Sequence, residues 1–345
     1  MTGHMKATRI PPLRHRTIMD VSRLAQVSAA TVSRAFSGGP VNERTRKRII
    51  ESAARLGYVP NIAAASLRGR HPRIVGVASY LVYSENLVQH AILEGISREL
   101  EDSDFNIILT PFTSLPRQAW LVSIMEQGLL GGLISVTEGT IGQEPYRNAL
   151  QHEIPLVTVE YKWPGTPSAE IDQEAGGRLA AAHLLTRTRN LVTFSLQSAQ
   201  NPNAIDARIA GFKRELARPG TPKARLNVMT CKGLEFEEGK RLGRILAQRS
   251  TRPLGVFCAT GDRFALGVWQ AMHEQGWQLR KDLFLVGFDN IPLSRYATPA
   301  LTTISQRLEE LGKLAAKMVI KEYSGEKVPP ERHVLQPVLI ERETT

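Results

Sequence analysis

The sequence predicts a multidomain fold: a small all-α helix-turn-helix headpiece, then a much larger α/β core with two parallel sheets, each covered by helices. Three observations predict it. The chain has 345 residues, more than one hydrophobic core usually organises. Its charge is segregated: residues 1–72 hold 13 Lys+Arg against 3 Asp+Glu, whereas the remaining 273 residues hold 31 against 30. Near residue 73 the apolar rhythm changes from helical stripes to short β-type runs alternating with helical stretches.

Composition narrows the function classes. Hydrophobic residues make up 42% and charged residues 22%, which excludes a wholly disordered chain. No apolar run approaches the roughly 18–20 residues that cross a bilayer, so no membrane partner is expected. Arg9, Arg14 and Arg16 interrupt the place where a secretory apolar segment would lie. Cys231 and Cys258 are the only cysteines, which excludes a disulfide framework and a cysteine-based zinc site and fits a reducing cytoplasm. Gly3-His4-Met5 looks like a cloning remnant, and residues 1–16 are expected to be a disordered, tag-like arm. A basic segment on a nearly neutral body points to a polyanion, above all nucleic acid.

The first helix begins at Thr17, which can cap, with Asp20 three residues on facing the positive end of the helix dipole. Ile18, Val21 and Leu24 then form one apolar stripe. Gln26-Val27-Ser28 breaks it, and Ser28 caps a second helix from Ala29 to about Phe36, whose Val32 and Phe36 are expected to face inward. After the loop Ser37-Gly38-Gly39-Pro40, Asn42 caps a third helix, Glu43 to Leu56, with Ile49, Ile50, Ala53 and Leu56 apolar and Gly57 as its stop. Two short helices joined by a tight turn are the helix-turn-helix geometry, whose second helix fits a major groove about 12 Å wide. Its exposed edge carries Ala29, Ala30, Ser33 and Arg34. Arg34 can donate twice to a guanine edge, and the alanines offer methyl contacts. Thr17, Ser28, Thr31, Asn42 and Thr45 are placed to bond phosphates.

The stretch Ile62 to Arg68 is small-residued, helical in propensity and too short to be stable alone in water. Either it folds against DNA, with Leu67 a minor-groove wedge and Arg68 beside it, or it is a linker helix with Leu67 packed on the body.

Residues Thr17 to Arg34 (TIMDVSRLAQVSAATVSR), Thr45-Arg46, Tyr58-Val59-Pro60-Asn61, Ala64 and Leu67 resemble the headpiece and hinge of the lactose/galactose/purine repressor family of bacterial transcriptional regulators. The resemblance implies a headpiece at 17–60 and a hinge at 61–72. It implies that Ala29, Ala30 and Arg34 read bases and that Leu67 intercalates, and it adds Tyr58, Asn61, Ala64 and Arg68 to the DNA-facing set. One departure stands out. The family usually has glycine where Gln26 stands, so either Gln26 takes a less favourable backbone conformation or the turn differs.

From Arg73 onward, strand-like runs at 74–78, 105–110, 132–136 and 155–159 alternate with helical stretches at 87–100, 118–127 and 145–152. After the loop Trp163-Pro164-Gly165-Thr166-Pro167 the alternation restarts, with strands at 191–194, 227–229, 255–258 and 283–288 and helices at 176–185, 207–216, 237–248 and 264–274. Such alternation means parallel sheets, and ligands bind outside the carboxyl ends of their strands, so a cleft between two lobes is the expected site. Asp289, Asp262, Arg208 and Glu160 stand at strand ends or helix starts, able to converge on a hydroxyl-rich ligand; Asp262 is equally readable as a cap for the helix it precedes.

This region too resembles the same family's core, which is periplasmic-binding-protein-like. The matching pieces are Ile171-Asp172 with Gly176-Gly177, Ala207 to Phe212, Gly261-Asp262 with Ala265-Leu266-Gly267, Val286 to Asp289 and Pro299 to Ile304. The resemblance implies that Arg208 and Asp289 contact an effector, with Glu160 next, and Tyr80, Tyr83 and Phe236 as an aromatic face. It implies a core over 73–343, one lobe about 73–165 and 298–324, the other about 166–297 and 325–343, with crossings near 160–170, 290–300 and 322–330. Two departures bear on the effector: Gly261 replaces the frequent Asn, and Thr186-Arg187-Thr188-Arg189 replaces a Gly-His pair.

No phosphate loop, dinucleotide fingerprint, nucleophile elbow or metal-ligand cluster is present, so no enzyme, metal or cofactor is expected. An exported small-molecule binding protein lacks support from the basic N-terminal segment, and a regulator without an effector stands as the other alternative. The expected protein is a cytoplasmic regulator, by resemblance a repressor, that binds a double-stranded DNA operator as a homodimer under a sugar-like effector.

Overall fold

The computed structural model describes residues 16–36, 39–58, 72–79, 87–111, 115–136, 143–197 and 204–345. Asn61, Ala64, Leu67, Arg68, Tyr80 and Tyr83 lie outside them, as does the hinge assigned to 61–72 apart from Pro72. The chain divides between Pro72 and Arg73 into two compact units.

In the first unit, α1 (Ile18–Leu24), α2 (Ala29–Phe36) and α3 (Glu43–Leu56) occupy the predicted spans. Thr17 opens α1 with a capping box: its hydroxyl accepts from Asp20 N at 3.4 Å while the Asp20 carboxylate accepts from Thr17 N at 2.9 Å. Gly57 ends α3 at φ 62°, the left-handed conformation glycine takes most readily. Val21, Ala25, Val32, Ala35, Ile49 and Ala53 form the core. Phe36 departs from expectation: it is 38% exposed, and the inward pair on α2 is Val32 with Ala35. These two are three residues apart, and one residue further turns about 100° round the helix, which leaves the Phe36 ring at the rim, 5.9 Å from that of Tyr58. Leu24 and Ile50 are exposed as well, since their helices carry more apolar residues than this small core buries.

The second unit holds two six-stranded sheets. The first contains β1 (Ile74–Ser79), β2 (Asn106–Pro111), β3 (Gly132–Ser135), β4 (Leu156–Val159), β5 (Ser168–Ile171) and β11 (Arg332–Leu335), in the order β11-β5-β4-β3-β1-β2. The second contains β6 (Asn190–Leu196), β7 (Arg225–Cys231), β8 (Leu254–Phe257), β9 (Leu283–Asp289), β10 (Thr302–Ser305) and β12 (Val338–Ile340), in the order β12-β10-β9-β8-β6-β7. All pairs are parallel except β10 with β12.

Alternation along each strand sends side chains to two helical layers, which is why these strands are apolar throughout. Val75, Val77, Ile134 and Val157 meet α4 (Leu87–Asp102) and α12 (Leu308–Tyr323) on one face. Ile74, Ala78, Leu133 and Leu156 meet α5 (Leu115–Glu126) and α6 (Glu144–Gln151) on the other. In the second lobe α7 (Gln173–Leu185) and α8 (Ala204–Leu216) cover one face, and α9 (Phe236–Arg249) and α10 (Asp262–Glu274) the other. A short α11 (Pro292–Tyr296) follows β9.

The lobe boundaries differ from those expected. Strand β5 pairs with β4 and so belongs to the first lobe, whereas β10 pairs with β9 and belongs to the second, and β11 returns to the first. The chain therefore crosses at residue 172, at 306–307 and at 336–337. Breaks read at Pro- and Gly-rich loops came too early, because the sheets continue past those loops in short polar strands, SAEI and TTIS.

Candidate functional site

Two candidate sites emerge, one in each unit. In the first, Ser28 Oγ accepts from Thr31 N at 3.1 Å and lies 2.9 Å from Thr31 Oγ1, which in turn accepts from Arg34 Nη2 at 3.4 Å. The start of α2 and its one cation thus share a chain of hydrogen bonds along the helix face. Ala30 and Arg34 are exposed, and Ala29, Thr31 and Ser33 are half-buried beside them. Asn42 Oδ1 accepts from Arg44 N at 2.9 Å, starting α3. Thr45 and Tyr58 are half-buried. Arg46 ties the two helices: its guanidinium donates to Ala35 O and, at 2.8 Å, to Gly39 O. The turn closes by Val27 N donating to Ser22 O at 3.0 Å, and Gln26 takes φ 50°, the less favourable conformation of the two outcomes expected. The Thr17 backbone N–H and hydroxyl hold the Asp20 carboxyl below the ordinary carboxylate range, so a negative charge stays on the first turn of α1.

In the second unit, Arg208, Asp289 and Glu160 come together where the chain crosses between lobes. Arg208 is buried, and its guanidinium lies 3.8 Å above the Phe288 ring. Its Nε donates to Gln173 Oε1 at 2.7 Å and its Nη1 to Ala259 O at 2.8 Å, with Asp289 Oδ1 at 3.8 Å. Glu160 directly follows β4 and accepts from Ile171 N at 3.1 Å and from Gln173 Nε2 at 2.7 Å. The same Gln173 amide reaches Gln306 Oε1 at 3.0 Å, and Gln306 Nε2 donates to Asp289 Oδ1 at 2.6 Å. Gln173 and Gln306 sit beside the crossings, so they link a carboxylate of one lobe to the charged pair of the other.

Burial pushes the Glu160 carboxyl up to about 7, against the opposing pull of Arg208. Burial likewise lifts Asp289 to about 6, with Arg208 and Gln306 opposing. The arginine is shifted downward by burial, and Asp289 and Glu160 counter it. Backbone strain collects here too: Glu160 has φ 65°, Asp289 φ 107°, Asn290 φ 59° and Arg307 φ 53°.

Asp262 does not cap the helix it begins, whose N-cap is Gly261. Both its oxygens are engaged, Oδ1 accepting from Thr303 Oγ1 at 2.6 Å and Oδ2 from Ile291 N at 3.0 Å, so it pins β10 and the segment after β9 from inside the lobe. Its carboxyl is raised well above the usual range by burial and then by Asp289. Phe236 is half-buried at the start of α9 against the second lobe's core, and none of its described contacts joins it to Arg208 or Asp289.

Three polar side chains beside these were not singled out in the sequence: Gln173, Gln306 and Thr260. Thr260 Oγ1 is buried with no hydrogen-bond partner among the described residues. The signal for all three was the strand-end position already used for the carboxylates. Gly261 explains how Asp289 fits: at φ 119°, a Cβ there would stand 2.7 Å from Asp289 Oδ2. The cluster pairs a guanidinium with acceptors, suited to holding a hydroxyl-rich molecule. Among its described residues no nucleophile is paired with a base.

Residues 17–61 match the family model of bacterial regulatory proteins of the lacI family, and residues 181–345 match that of the periplasmic binding protein-like domain. The ribose operon repressor of Haemophilus influenzae is 29% identical over 338 residues, covering 95% of this chain and 98% of that protein. Among solved structures, the lac repressor dimer bound to operator and an anti-inducer superposes with a TM-score of 0.78 at 22% identity, over 96% of this chain and 99% of that one. A lacI-family regulator from Enterococcus faecium with bound ribose gives a TM-score of 0.67 at 25% identity, over 79% of this chain and 98% of that one.

Proposed function

We propose that this chain is a cytoplasmic repressor of the lacI family of bacterial regulatory proteins, one that binds a pseudopalindromic operator as a homodimer under control of a sugar-like effector. DNA binding rests on the first unit. Arg34 reads a base edge, Ala29, Ala30 and Ser33 line the approach, and Thr17, Ser28, Thr31, Asn42 and Thr45 position the phosphates. Tyr58, Asn61, Ala64, Leu67 and Arg68 extend that surface toward the minor groove. Pairing of two copies matches the two-fold symmetry of a palindrome and doubles the phosphate contacts.

The effector is assigned to the interlobe cluster, and one observation carries this: Arg208, Asp289 and Glu160, from three separate elements, converge where the lobes are joined. Carboxylates and a charged fork suit ligand hydroxyls. A neutral sugar fits these acceptors better than an anionic metabolite, which would meet two carboxylates. The relatives add support, since one is a ribose operon repressor and one solved regulator holds ribose. An effector that favours one interlobe arrangement shifts DNA affinity by a coupling free energy of about 1–3 kcal/mol.

Two measurements test this. Competition binding of genomic fragments against random DNA, repeated at several salt concentrations, is expected to reveal a preferred, strongly salt-sensitive sequence. Thermal-shift screening with ribose, cellobiose and other neutral sugars is expected to find a stabilising ligand, which Arg208→Ala abolishes. No preferred fragment overturns the repressor reading, and no response to any sugar overturns the effector assignment.

A further inference from the structure

Arg208 is seated by the first turns of α7. Gln173, the first residue of that helix, accepts from its Nε. Gly177, one turn on, lies against the arginine's main chain: a Cβ there would come 1.8 Å from Arg208 O and 2.8 Å from its carbonyl carbon. Gly176 faces Phe288, where a Cβ would come 2.7 Å from Cε2 and 2.8 Å from Cζ. That ring is the surface under the guanidinium. One glycine therefore sets the depth of the arginine's backbone, and its neighbour makes room for the plate beneath its charged end. Neither has positive φ. Backbone freedom is not why glycine stands here; the missing side chain is.

Close helix packing on glycine recurs in this fold. Gly211 on α8 answers Gly177, with a Cβ 2.0 Å from Glu174 O. Between α9 and α10, a Cβ on Gly239 would come 2.2 Å from Phe264 O and one on Gly267 would come 2.0 Å from Phe236 O. That second contact carries no residue of the interlobe cluster. It supplies the matched comparison: equal crowding without Arg208.

We propose that Gly176 and Gly177 are positioning residues for effector recognition, holding Arg208 at the depth from which it meets Glu160, Gln173 and Asp289. The link to an effector rests on the reading above; the placement of Arg208 does not. A wider α7–α8 contact lifts the arginine out of its seat, and both carboxyls lose part of the attraction that opposes their burial.

The test needs no ligand. In the full-length protein, carboxyl carbons of Glu160 and Asp289 are followed by NMR across the acid-to-neutral range in Gly176→Ala, Gly177→Ala, Gly239→Ala and Gly267→Ala. Both midpoints are expected to rise by at least about half a pH unit in the first two and stay at wild-type values in the last two. A merely structural role would move neither pair. Gly176→Ala meets a ring edge rather than backbone, so it carries the test if Gly177→Ala fails to fold. Unchanged midpoints in Gly176→Ala, or equal shifts in all four, overturn the proposal. Unfolding of both α7 variants while the α9–α10 variants fold also overturns it, because the glycines then serve folding alone. Raised midpoints in a protein that answers no sugar leave the seat standing and sink only the effector assignment.

Discussion

The α2 face and the interlobe cluster both present an arginine, yet they are built in opposite ways. Arg34 stands exposed on a short helix, with a long contact to Thr31. Arg208 is buried, stacked and hydrogen-bonded to a side chain and a carbonyl. An exposed cation near a polyanion acts through screened electrostatics, so its loss is graded and salt-dependent. A buried cation depends on every partner, since removing one leaves an uncompensated charge in low dielectric. Under the proposed function the difference has a use: a surface that reads bases tunes one contact at a time, whereas a cluster that senses an effector responds as a unit.

Asp289→Ala should break this contrast most sharply. It is expected to lower folding stability by about 3–5 kcal/mol and to abolish the sugar response, while the DNA-binding face keeps its sequence preference. Calorimetric unfolding and fluorescence anisotropy check it, and a normal sugar response would remove Asp289 from the site. Next, Arg34→Ala is expected to weaken binding by about 1–3 kcal/mol and flatten discrimination at one base pair per half-site, read by competition with single-position operator variants.

Glu160 sharpens the comparison through pH. Its carboxyl is raised from 4.5 to about 7 in the folded chain, so the native state holds a proton that the unfolded chain gives up between those values. Stability on its account falls as pH rises through that window and stays reduced above it. Glu160→Gln is expected to flatten the loss between pH 6 and 8 by on the order of 1–2 kcal/mol, measured by denaturant unfolding at each pH. The smallest effect belongs to the turn: Gln26→Gly should stabilise the first unit by under about 1 kcal/mol by relieving its φ of 50°, leaving the second unit's transition unmoved.

The first unit was legible almost residue by residue, because caps and stops are local chemistry: Thr17, Asn42 and Gly57 do their work within a turn of themselves. What failed there was Phe36, whose exposure is decided by how three helices cross. In the second unit the apolar strands were readable from their continuous burial. The strands SAEI and TTIS were not, since Ser168, Glu170, Thr302 and Thr303 are buried polar residues, and Glu170, Thr302 and Thr303 find partners far along the chain, in Arg332, Thr345 and Asp262. The helix Leu308–Tyr323 does carry a readable stripe, in Leu308, Leu311, Ala315 and Val319, and could have been found. At the cluster, charge drew attention to Arg208, Asp289 and Glu160. The glutamines joining them carry no charge, and only the sheet order brings residues 173 and 306 together.

That sheet order has a mechanical consequence. Three short stretches of backbone tie the lobes, at residue 172 between β5 and α7, at 306–307 between β10 and α12, and at 336–337 between β11 and β12, and the strands they leave lie side by side in their sheets, β5 beside β11 and β10 beside β12. Like a three-knuckled door hinge, such a joint resists pulling apart and sliding while leaving one swing soft. Two of its knuckles are flanked by the amides of Gln173 and Gln306, so a molecule that rearranges those two side chains acts at the pivot itself, where a small displacement is magnified into a wide sweep at the far rim.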